Sequence, residues 1–113
     1  MAQKALPKRT VEKKVQSYLR YLATNRRLPI TQAYLFGSYA HGTPHAWSDI
    51  DLCIVSPQFR NSYTALASLW QWRRPEDTGI EPVGFDSRTF QKNLPLVAEI
   101  RRTGKKISWE EKR

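Results

Sequence analysis

Asp49 and Asp51 stand one residue apart at the head of the apolar run that continues through Ile50, Leu52, Cys53, Ile54 and Val55. Unpaired carboxylates are costly to bury in such a run. In an extended strand successive side chains alternate between faces, so the two carboxylates share one face about 6.6 Å apart along the chain, and Ile50 and Leu52 share the other. Carboxylates this close repel each other unless a cation lies between them. Oxygen-only ligands with open positions suit Mg²⁺ or Mn²⁺, and two such ions about 3.5 to 4 Å apart match the spacing, an arrangement used for in-line phosphoryl displacement. The simpler reading is an Asp pair that only caps turns and holds no metal.

Gly37-Ser38 supplies a second chemical group. A strand that turns sharply at glycine into one helical turn, Ser38 to His41, presents free backbone N–H groups, and these with the serine hydroxyl hold a phosphate. The ten residues from Tyr39 to Ser48 suffice to form that turn, loop out and return as a neighbouring strand. Phosphate cradle and metal ligands then face each other.

Several elements must position these groups. Val11, Val15, Leu19 and Leu22 recur at helical spacing after Thr10, a residue suited to cap a first helix. Gln32 to Phe36 reads as a strand halted by Gly37, residues 42–48 as a loop, and residues 49–55 as a second strand ended by Pro57. Tyr63, Leu66, Ala67, Leu69 and Trp70 fit another helix, broken before Pro75. Trp70 and Trp72 read as core aromatics. Ile80 to Phe85 is a third strand, and Pro82, which has no N–H for a ladder, places it at an edge or a bulge. Asp86 or Ser87 caps a short helical stretch to Asn93; Pro95 starts a last helix that Gly104 stops; residues 106–109 form a final short strand.

At 113 residues the chain has room for one compact domain, 1–113. No stretch approaches the ~18 to 20 apolar residues of a membrane span, and the N-terminus lacks the apolar middle of a signal peptide, which reads as a cytoplasmic protein. The single cysteine, Cys53, reads as a buried hydrophobe. The formal net charge is +9, with eight of the nineteen basic residues before position 30, six after position 100, and none between Arg27 and Arg60. The basic ends suit an anionic partner, with nucleic acid among the options, though no RNA-binding signature is present.

Gly37-Ser38, ten residues, then Asp49-Ile50-Asp51 resembles the nucleotidyltransferases of the DNA polymerase beta type, whose signature is Gly-Ser, ten residues, Asp-x-Asp. At ordinary residue usage that spacing arises by chance in about one chain in a thousand of this length. The resemblance covers nearly the whole chain, through LPLVAEIRRTGKKI, and is closest to the stand-alone minimal nucleotidyltransferases. It implies an α+β fold, a small mixed sheet with helices packed on one face, a bound nucleoside triphosphate (ATP) and two Mg²⁺. It also implies a third carboxylate on a neighbouring strand, for which Glu81 in IEPVGF is the first candidate and Asp86 the second. Asp49, Asp51 and Glu81 then hold the metal, and Gly37 and Ser38 the nucleotide phosphates. His41 stands where the family often carries a basic residue, and His45 has no assigned role. Many minimal members are antitoxins paired with a HEPN-domain ribonuclease toxin and transfer AMP to a toxin tyrosine. The other functions in view are a non-catalytic module that masks the toxin by contact, and transfer to RNA or a small molecule.

Overall fold

The computed structural model describes residues 6–42 and 49–109. Helix α1 (Lys8–Asn25) buries Val11, Val15, Tyr18, Leu19 and Leu22 along one side. It starts two residues before the expected cap, Thr10. Pro7, at φ −59°, sets the entry, and its carbonyl accepts the Val11 N–H at 3.1 Å. The chain continues through β1 (Gln32–Phe36), the single turn α2 (Ser38–His41), β2 (Ile50–Val55) and α3 (Ser62–Gln71). A 3₁₀ turn (Pro75–Asp77) leads into β3 (Ile80–Phe85), a second (Thr89–Gln91) follows, and α4 (Pro95–Thr103) and β4 (Lys105–Lys106) complete the described chain.

The four strands form one mixed sheet in the order β3-β2-β1-β4. β1 is antiparallel to β2 and β4, and β2 is parallel to β3. The Pro82 expectation holds: β3 is an outer strand. β4 is shorter than expected, and Ile107 adds only one further bond, to the Ala33 carbonyl at 2.9 Å.

Alternation along β2 sorts the core into two layers. Ile50, Leu52 and Ile54 join Ala33, Leu35 and Ile80 beneath α1 and α3. Cys53 and Val55 point the other way and join Phe85, Phe90, Val97 and Ile100. The mixed α+β sheet is therefore as expected, but its helices are not confined to one face: α1 and α3 cover one side, and α4 with the second 3₁₀ turn covers half of the other. A parallel strand pair whose residues are apolar on both faces requires cover on both. Cys53 is buried and unpaired as expected, and burial pushes its thiol up to about 12.

Two further packing features matter for the site. A Cβ on Gly84 would lie 2.6 Å from Phe59 and 2.9 Å from the Ala65 Cβ, so this glycine lets α3 sit directly on β3. Asp77, 1% exposed, takes both Nε and Nη2 of Arg74 at 2.8 and 3.0 Å, and Arg74 also donates to Ser17 Oγ at 3.1 Å. That network ties the segment entering β3 to α1. Asp77→Ala removes the buried acceptor of Arg74, whose partly exposed guanidinium keeps Ser17 at 3.1 Å and Glu76 at 3.6 Å, and a loss of about 2 kcal/mol is expected in denaturant unfolding, the scale of hydrogen bonds to a charged group.

Trp70 is not a core residue. It is 38% exposed, and its indole N–H donates to the Pro82 carbonyl at 3.0 Å along the outer edge of β3. Trp72 does pack against the core, as expected.

Candidate active site

The register of the sheet assembles the carboxylates. Asp51 lies opposite Phe36 on one side and opposite Glu81 on the other. Strands β2 and β3 are parallel, so Asp51 and Glu81 occupy the same end and the same face of neighbouring strands. The Ile50 N–H donates to the Gly79 carbonyl at 2.8 Å, which locks the two strand starts together. Asp49, one residue before β2, is exposed at this end. β1 runs antiparallel and finishes here, so the chain leaves the sheet at Gly37-Ser38 beside the acidic row.

Gly37 adopts φ 75° and ψ −153°, a region essentially restricted to glycine. A Cβ at this position would collide with Asp51 Oδ2. The absence of a side chain is what allows the Asp51 carboxylate to rest against the main chain of the turn. In α2 the His41 N–H donates back to the Gly37 carbonyl at 3.0 Å and the Gly42 N–H returns to the Ser38 carbonyl. The amides of Ser38, Tyr39 and Ala40 precede the first intrahelical bond. Ser38 is half-buried and His41 exposed. His45 and the rest of residues 43–48 lie outside the described residues.

The electrostatics follow from this crowding. Partial burial raises the Asp51 carboxyl above its ordinary value, and Asp49 raises it further. Burial also raises Glu81, with additional upward pushes from Asp49, Asp51 and a hydrogen bond shared with Asp49; Arg73 opposes them. Among the described residues no three His, Cys, Asp or Glu side chains surround a common point at ligand distances. An oxygen-only set of three acids, two of them with their charge disfavoured by burial and by their acidic neighbours, fits a hard divalent cation in its chemistry, with side-chain rotation needed to bring all three to one ion.

Asp86, the second candidate for the third acid, is not part of this group. It caps the second 3₁₀ turn, accepting the Thr89 N–H at 3.0 Å, and hydrogen bonding to Thr89 lowers its carboxyl below the ordinary value. It follows Phe85, which lies opposite Val55 at the far end of the strand pair. Glu81→Gln is accordingly expected to reduce nucleotidyl transfer at least about a hundredfold, and Asp86→Asn only marginally. Transfer rates of the two variants check this, and the reverse order would move the third acid to Asp86.

Arg73 is the residue that sequence reasoning missed. Its guanidinium carbon lies 3.9 Å from the centre of the Trp70 ring, and Nη1 donates to the Ile80 carbonyl at 3.0 Å. This holds a cation one residue from Glu81. The only sequence signal is the i, i+3 spacing of Trp70 and Arg73 at a helix end, which is common on helix surfaces.

A profile for the nucleotidyltransferase domain matches residues 15–113. The chain belongs to the nucleotidyltransferase domain family. A candidate nucleotidyltransferase from Sulfolobus solfataricus has the same fold, with a TM-score of 0.59, 19% identity, and coverage of 88% of this chain and 79% of that one. A toxin–antitoxin crystallised with AMP-PNP aligns at a TM-score of 0.59 and 26% identity, over 88% of this chain and 74% of that one. Comparison with curated proteins gives no match. No helix of this nucleotidyltransferase is long and apolar enough to cross a membrane among its described residues.

Proposed function

We propose that this nucleotidyltransferase moves a nucleoside monophosphate, AMP from ATP, onto a hydroxyl of a partner protein, and that the partner is a HEPN-domain toxin for which the chain is the antitoxin. The observation that carries the transfer chemistry is the pairing of Asp51 with Glu81 across two parallel strands, directly beside the Gly37-Ser38 turn. The likeness to a toxin–antitoxin crystallised with AMP-PNP supports the choice of nucleotide and partner.

In this reading Ser38 and the free amides of α2 hold the terminal phosphates, where oriented N–H dipoles favour negative charge. Asp49, Asp51 and Glu81 would hold two Mg²⁺, which when bound neutralise charge on the phosphate oxygens. The acceptor oxygen attacks the α-phosphorus, its proton passes to a neighbouring carboxylate, and pyrophosphate leaves. Fixed donors and carboxylates position these groups, and positioning supplies most of the rate in such transfers. Exposed basic residues along α1, Arg9, Lys13 and Arg20, favour RNA as the alternative acceptor.

Incubation with each α-labelled nucleoside triphosphate, Mg²⁺ and extract of the source cells tests the proposal. Label from ATP is expected on a protein tyrosine. Label on RNA alone overturns the protein acceptor, and no transfer from any nucleotide overturns the enzyme.

A further inference from the structure

Nucleotidyl transfer has a direction across the acidic row. In an in-line displacement the attacking and leaving oxygens lie on opposite sides of the phosphorus. Gly37-Ser38 closes β1, Asp51 stands on β2 and Glu81 on β3, in steps of about 5 Å across the sheet. Pyrophosphate held at Gly37-Ser38 leaves toward β1, so the acceptor oxygen arrives from the side of Glu81. β3 is the outer strand of the sheet, and the acceptor therefore enters over its edge.

Arg73 and Trp70 stand at that edge. The Ile80 carbonyl accepts Arg73 Nη1 at 3.0 Å, and the Pro82 carbonyl accepts the Trp70 indole N–H at 3.0 Å. The two side chains thus bracket Glu81 along the outside of its strand. The guanidinium carbon lies 3.9 Å from the centre of the Trp70 ring. Stacking and one hydrogen bond fix the orientation of this planar cation. Its charge reaches the Glu81 carboxyl.

Protecting the edge from an added strand accounts for only part of this arrangement. Any side-chain donor can occupy an outward carbonyl, but Arg73 carries a cost. Its Nε is buried with no hydrogen-bond partner, which is true of no other side-chain nitrogen or oxygen among the described residues. A buried donor without a partner destabilises the fold, and a functional role is one of the few reasons for it to persist. Nη2 makes no hydrogen bond to any described residue.

The acidic row by itself repels an anionic acceptor. A guanidinium fixed on the entry side attracts one, and its planar donors suit a carboxylate. We infer that Arg73, held by Trp70, binds a carboxylate next to the acceptor hydroxyl, so that the preferred acceptor is a tyrosine flanked by acidic residues. This rests on the protein-acceptor reading above and adds to it the chemistry around the acceptor.

Two synthetic peptides test it, identical except for glutamate or lysine on both sides of a single tyrosine, each offered with α-labelled ATP and Mg²⁺. The glutamate peptide is expected to take label at least tenfold faster. Arg73→Gln should raise KM for that peptide tenfold or more and erase the preference, with KM for ATP unchanged. Arg73→Lys, which keeps the charge, should retain part of the preference. An Arg73 that only braced the edge would leave the preference intact. Equal labelling of the two peptides, a preference that survives Arg73→Gln, or labelling of neither peptide by a protein that labels tyrosine in cell extract overturns the inference. Label on RNA alone, or no transfer at all, overturns the protein-acceptor reading, and the inference with it.

Discussion

Asp51→Asn is expected to lower nucleotidyl transfer by at least about a thousandfold, the scale on which one preorganised electrostatic group acts, while leaving the protein folded and no less stable at neutral pH. Asp51 is half-buried beside Asp49, and Glu81 lies opposite it, so its charged form is disfavoured in the fold and its carboxyl is raised. For an acid whose folded value lies above the unfolded one, stability is greatest while both states are protonated and falls as pH rises through the window between the two values. Asparagine removes that penalty. In the presence of a chelator, the variant should therefore gain on the wild type between about pH 4 and neutrality, with the largest advantage at the neutral end. Thermal melts across that range check the sign. Added Mg²⁺ should raise the wild-type melting temperature and leave that of Asp51→Asn unchanged, since only a folded site that binds the ion is stabilised by it. Full transfer by both Asp49→Asn and Asp51→Asn, or an equal response of wild type and variant to Mg²⁺, would reject the carboxylate site.

Gly37→Ala is expected to combine a loss of stability of about 2 to 4 kcal/mol with near-complete loss of transfer. Two costs add at this position. A side chain at φ 75°, ψ −153° is strained by about 1 to 3 kcal/mol wherever it occurs. The new methyl group also occupies the place of Asp51 Oδ2 and must drive that carboxylate out of the row. Gly42→Ala is the control, because Gly42 shares a positive φ of 75° but, among the described residues, has nothing within 4 Å of an added Cβ. It should lose about 1 kcal/mol from backbone strain alone and retain transfer. Chemical denaturation and transfer assays on both variants separate the two effects, and equal activity of the two would show that contact between Gly37 and Asp51 does not matter.

The local grammar of the chain was legible because it depends on neighbours in sequence. The four-three spacing of Val11, Val15, Leu19 and Leu22 demanded a helix, and α1 buries those residues. Pro82 called for an edge or a bulge, and β3 is an edge strand. The Gly37-Ser38 and Asp49-x-Asp51 pattern pointed to the nucleotidyltransferase family before any fold was known, since a turn that approaches a carboxylate needs glycine and a shared strand face needs i, i+2 spacing. Where tertiary contact competed with local preference, sequence reasoning failed. Thr10 is a good capping residue, yet α1 begins at Lys8, entered from Pro7. Trp70 has the apolar surface of a core residue, but its indole N–H needs an acceptor and finds one at the exposed edge of β3.

Residue types and their spacing thus determined which groups could do chemistry: two acids on one strand face, a glycine turn, and a choice between Glu81 and Asp86. Which of those two lies beside Asp51 is visible only in the strand register. Parallel pairing of β2 with β3 sets Glu81 against Asp51 and carries Asp86 to the opposite end, where Thr89 occupies it. Nothing local in IEPVGFD distinguishes the two acids. Pairing partners distant in sequence are chosen by the burial of whole faces, here Cys53, Val55 and Phe85 beneath α4, and a one-residue slip would turn every one of them outward.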